Sequence, residues 1–116
     1  LGYCRLKLGN SKAALAAYEQ ALARAPDNRL ARVGRAEALA ALNRPDEALA
    51  ALDDLLETDP SYVPALLTKA SVLAREARTQ EALTFLNRAH RLAPAATAAE
   101  IRADPFLSRL VSSETP

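Results

Sequence analysis

The 116 residues are enough for one domain with a modest core. Fifteen Lys+Arg against 14 Asp+Glu leave a net charge of +1, which gives no electrostatic reason to expect nucleic acid or an acidic membrane surface as partner. Half the residues are apolar but only 4% are aromatic, with no Trp or Met, so alanine and leucine must carry the core and an all-α fold is expected.

In chain order, the first element is a short helix over residues 1–8 that Gly9–Asn10 is expected to end, glycine supplying a left-handed cap. Ser11 then reads as the cap of a helix to about Arg24, with Leu15, Tyr18, Ala21, Leu22 and Ala25 at helical spacing. Pro26, Asp27 and Asn28 turn the chain into a helix over residues 29–42. Asn43 fills the slot of Gly9, and asparagine is the next-best residue for the left-handed conformation. Pro45 opens the following helix, with Asp46 and Glu47 at its favourable positive end, and Asp59–Pro60 close it.

Two more helices are expected over residues 62–76 and 79–92. Between them Ala77 takes the Gly9/Asn43 slot, which in a left-handed geometry costs about 1 kcal/mol. Thr97 and Glu100 have the spacing of a capping box. Asp104–Pro105 interrupt that helix and start a last one, striped by Phe106, Leu107, Leu110 and Val111. Residues 97–112 thus read as capping helices and 113–116 as a frayed tail.

The strongest signal is a period. Pro26, Pro60 and Pro94 are spaced by 34 residues, and so are Ala14, Ala48 and Ala82. Tyr18, Leu52 and Leu86 form a third column, and Ala21, Leu55 and Ala89 a fourth. A unit of this length is one helix–turn–helix that cannot bury its apolar face alone and must stack on its neighbours. The array divides into residues 1–28, 29–62 and 63–96, the first unit truncated. Beginning on Leu1 rather than methionine, the chain reads as a piece of something longer.

On these columns the chain resembles the tetratricopeptide repeat family over about residues 1–96. Leu1–Gly2 match the family's Leu-Gly pair. The family's tryptophan is replaced by Arg32 and Leu66, and the Leu-Gly pair by Arg35–Ala36 and Lys69–Ala70. Long basic side chains there must lay their methylenes on the core and extend their charge outward. The resemblance implies a right-handed superhelix whose concave face, lined by the first helix of each pair, receives peptide or helical ligands. Its groove-facing positions fall on Tyr3, Leu6 and Lys7, on Leu30, Val33, Glu37, Ala40 and Ala41, and on Pro64, Leu67, Ser71, Ala74 and Arg75. The expected groove has an apolar floor of Leu6, Leu30, Val33 and Leu67, with scattered charge at Lys7, Glu37 and Arg75, and suits an amphipathic helix or an extended apolar segment.

A chaperone-type carboxylate clamp is not expected. Its lysine, arginine and asparagine positions hold Tyr3, Gly34, Pro64 and Thr68, and shifting by one repeat brings Val33, Glu37 and Thr68. Catalysis finds no support either. His90 is the only histidine and Cys4 the only cysteine, so neither a metal pair nor a disulfide is available within the chain, and no cofactor is expected. Asp53 and Asp54 are neighbours on a helix and point apart. Gly2, Gly9 and Gly34 form no phosphate loop. With no apolar run near the roughly 18 residues of a spanning helix and no signal peptide, membrane insertion is not expected; the compartment stays open, with a soluble, cytoplasmic setting only weakly favoured. Two alternatives to a peptide-binding scaffold stand: a self-association module covering the apolar face of Leu15 and Leu22, and the scaffold portion of a larger enzyme or assembly factor.

Overall fold

A computed structural model describes the backbone of residues 2–114 and the side-chain surroundings of residues 10–111. Among the described residues there are seven helices and no strand: α1 (Gly2–Arg24), α2 (Arg29–Ala41), α3 (Pro45–Thr58), α4 (Val63–Arg75), α5 (Thr79–Leu92), α6 (Pro94–Ala103) and α7 (Pro105–Glu114). The fold is the all-α solenoid that the period predicts.

Asn28 starts α2 by accepting the Ala31 N–H on its side chain at 3.1 Å. The turn after α2 is a left-handed cap. Asn43 has φ 63°, the Arg44 N–H donates to the Leu39 carbonyl at 2.9 Å, and the Asn43 N–H donates to Ala40 at 3.1 Å. One period later the same two bonds recur, Arg78 to Leu73 and Ala77 to Ala74, with Ala77 at φ 59°. The alanine does adopt the strained conformation. After each turn the arginine pairs with a glutamate of the next helix, Arg44 with Glu47 and Arg78 with Glu81.

The Gly9 slot behaves differently. Helix α1 runs unbroken through Gly9, Asn10 and Ser11, so the expected cap does not form. An eight-residue helix is too short to hold itself, whereas the same residues gain cooperative hydrogen bonding as an extension of α1. Glycine inside a helix costs about 1 kcal/mol against alanine, less than breaking that ladder.

Helix α2 packs directly on α4, while no comparable contact joins α3 to α5, so α2 and α4 lie on the inside of the curve. The 24 Å thickness of the molecule is that of two helix layers. Two buried clusters run through the stack. Leu39, Leu52 and Leu55 centre the first, and Leu66, Leu73 and Leu86 the second, which Leu107 and Leu110 of α7 complete. The alanine column at Ala48 and Ala82 is fully buried, where small side chains let helices approach.

The C-terminal segment corrects two expectations. Helix α6 begins at Pro94, not at Thr97, because proline at the first helical position is preorganised for it. Thr97 is therefore inside the helix, fully buried, and its hydroxyl has no partner among the described residues; the capping box with Glu100 does not form. The working cap is Asp104, whose Oδ1 accepts the Phe106 N–H at 2.9 Å and the Leu107 N–H at 3.4 Å. Helix α7 continues to Glu114, so positions 113 and 114 are helical rather than frayed.

Candidate functional site

Along the inner face, α4 presents two nearly buried hydroxyls, Thr68 (7% exposed) and Ser71 (9%). Burial of a hydroxyl demands a partner, and both find a carboxylate on a flanking element. Thr68 Oγ1 donates to Glu37 Oε1 of α2 at 3.2 Å. Ser71 donates to Asp104 Oδ2 at the junction of α6 and α7. The Arg75 guanidinium lies 4.8 Å from the centre of the Phe106 ring. Glu37, Thr68, Ser71, Arg75, Glu100 and Asp104 thereby surround one hollow. Among the described residues, Glu37, Glu100 and Asp104 make no salt bridge.

Glu37 keeps an exposed edge toward solvent. Its carboxyl nevertheless loses hydration against α4, and this pushes its pKa above the ordinary value. The Thr68 hydrogen bond opposes that shift, Glu100 and Asp104 add to it by repulsion, and Arg75 works against them.

Glu37 also borders two further hollows. One is lined by Tyr18, Leu30, Val33, Gly34 and Pro64, the other by Ser11, Ala14, Tyr18, Gly34 and Arg75. All three hollows have Glu37 in their walls; the lining is largely apolar around Leu30 and polar around Asp104. Gly34 makes room for the Tyr18 ring: a Cβ there would lie 2.5 Å from Tyr18 Cε1 and 2.8 Å from Cε2.

The predicted groove residues separate into three groups. Leu30 (68% exposed), Glu37, Ser71 and Arg75 are brought together on the inner face. Val33 (5%) and Leu67 (8%) are packed into the core clusters, although Val33 also edges the Leu30 hollow. The side chains of Tyr3, Leu6 and Lys7 lie outside the described residues. The floor is thus far more polar toward the C-terminal end than the sequence pattern implied. Sequence reasoning passed over Glu100 and Asp104 as groove residues, since they lie where the period has ended. The Asp-Pro pair was the available signal, being an N-cap followed by a proline at the first helical position.

Other features hold no constellation of this kind. His90 sits beside an apolar hollow between α5, α6 and α7 lined by Leu83, Leu86, Ile101 and Val111. Among the described residues no group of three or more His, Cys, Asp or Glu is placed to hold a metal ion. No helix among them is long and apolar enough to cross a membrane. Asp53 is engaged by Lys69, across from α4.

The family model described as Tetratricopeptide repeat matches residues 1–63 and, in a second placement, residues 39–97. A "TPR repeat-containing thioredoxin TTL4" of Arabidopsis thaliana is 36% identical over 85 residues, which is 73% of this chain. The chain spans only 12% of that relative's length. No solved structure matches it. Repeats of this kind generally serve as non-catalytic scaffolds for protein–protein interaction. With family pattern, relative and stacked helix pairs in agreement, the chain belongs to the tetratricopeptide repeat family.

Proposed function

We propose that this chain is a non-catalytic docking scaffold that holds a peptide or amphipathic helix of a partner protein in the groove along α2, α4 and α6. The observation that carries this reading is that three hollows in a row along α2 share Glu37 in their walls, which supports one long receptive face rather than isolated dimples. A groove held open by stacked helices loses little entropy when it captures a flexible segment. The residues at the clamp positions, Gly34, Pro64 and Thr68, supply no cation for a terminal carboxylate, so an internal segment is the fitting ligand. Short random peptides displayed on phage and selected on the purified chain test it. Recovered binders should weaken by about tenfold or more for Leu30→Glu, a change at a position exposed enough to leave folding intact. Binders indifferent to that substitution, or no binders at all, would overturn the groove as the docking face.

A second reading is favoured by the name of the Arabidopsis relative: a scaffold portion of a larger, redox-active protein. With one cysteine in the sequence, the chain itself is predicted to show no disulfide reductase activity above background. Turnover in an insulin-reduction assay would reject that division of labour.

A further inference from the structure

Two independent features share the inner face on either side of Glu37. One is apolar: Leu30, at 68% the most exposed large apolar side chain among the described residues, faces a hollow with Pro64 and Tyr18. The other is electrostatic: three carboxylates, Glu37, Glu100 and Asp104, surround a hollow that contains a single guanidinium. We infer that the groove selects a partner segment carrying an apolar side chain and, at a set distance from it, a lysine or arginine, the first seated against Leu30 and Pro64 and the second among Glu37, Glu100 and Asp104. This deepens, and rests on, the groove-binding reading above.

The chemistry of the second hollow supports a cation. The donors already present toward Glu37 and Asp104 are all neutral: the hydroxyls of Thr68 and Ser71 and, at Asp104, the Phe106 and Leu107 N–H groups. Arg75 is drawn onto the Phe106 ring and makes no salt bridge among the described residues. A local excess of negative charge therefore persists in a chain whose net charge is +1. An acidic side chain entering there would face repulsion from three sides, and an apolar one would strip water from the carboxylates without compensation. A guanidinium or ammonium offers several donors to them at once. The reluctance of Glu37 to ionise points the same way, because an incoming cation would relieve its lost hydration.

Spacing makes the inference specific. Leu30 and Glu37 are seven residues apart on α2, which at 1.5 Å per residue is roughly 10 Å. A helical ligand would span this with its apolar and basic residues about seven positions apart, and an extended one with about three.

The phage-selected peptides provide the probe. Lysine or arginine should be enriched at one of those two separations from a large apolar residue. Binding of a selected peptide, followed by fluorescence anisotropy, should weaken about tenfold with Glu100→Lys and fall with added salt. Glu100 is exposed and makes no side-chain hydrogen bond or ion pair among the described residues, so this substitution spares the fold. Peptides that lose binding to Leu30→Glu but show no basic enrichment and ignore Glu100→Lys would overturn the cation site while leaving the groove intact. Peptides indifferent to both substitutions, or an empty selection, would overturn both.

Discussion

The junction of α1 with α2 and that of α3 with α4 are the same place one period apart, filled in two ways. At the first, the Tyr18 ring lies against Gly34, where no side chain stands in its path. At the second, the equivalent positions are Leu52 and Thr68, with Leu52 fully buried and Thr68 reaching over to Glu37. Bulk has moved from one helix to the other while the backbone register is kept, as volume-conserving exchange allows. The accompanying charge pair shows the same contrast. Arg35 and Glu19 stand 3.7 Å apart and rather exposed, whereas Lys69 is 15% exposed, binds Asp53, and sits 4.1 Å from the centre of the Phe85 ring. The repeat thus conserves geometry and lets chemistry vary, which leaves the inner face free to differ from unit to unit.

The largest expected effect comes from mixing the two solutions. Gly34→Thr puts a Cβ into the Tyr18 ring and should destabilise the chain by about 1–3 kcal/mol in urea denaturation. Adding Tyr18→Leu transplants the second junction into the first and should recover most of that loss. If the double variant is no better than Gly34→Thr alone, the two junctions are not interchangeable and the comparison fails.

A smaller effect separates the two left-handed turns. Ala77 at φ 59° carries a Cβ in a conformation that glycine adopts freely, so Ala77→Gly should stabilise by up to about 1 kcal/mol. Asn43→Gly, starting from a residue already suited to φ 63°, should gain less. Thermal midpoints of the two variants measured side by side give the order.

The smallest contrast is one of pH. Glu37 and Ser71 are equivalent positions on α2 and α4, and only the first titrates. Because the folded-state pKa of Glu37 is raised above 4.5, the folded chain holds more protons than the unfolded one between the two values. This contribution to stability is present below that window and is lost as pH rises through it. Glu37→Gln should flatten the dependence of the thermal midpoint on pH above 4.5.

The architecture was legible because a solenoid repeats its closest approaches. Ala48 and Ala82 mark where helices touch, and Pro60 and Pro94 where units close, so the columns translate directly into helix pairs. Local signals were less dependable. Gly9 is a good cap by itself, but helical cooperativity over residues 2–24 overrode it. Thr97 and Glu100 have capping-box spacing, but Pro94 nucleates the helix three residues earlier. Glu37, Ser71 and Arg75 came from the groove-facing positions that the family resemblance implies. Their partners Glu100 and Asp104 did not, since a non-repeating segment brings them in and no column predicts where it folds.

Asp104 holds three appointments at once: it starts α7, anchors that start to Ser71, and contributes charge to the hollow. Its charge therefore cannot be retuned without loosening the C-terminal lid of the stack. The charge of that hollow is more freely changed at Glu37 and Glu100, the two carboxylates that no turn depends on. The end of the solenoid in this way sets which side chains of its inner face are free to change.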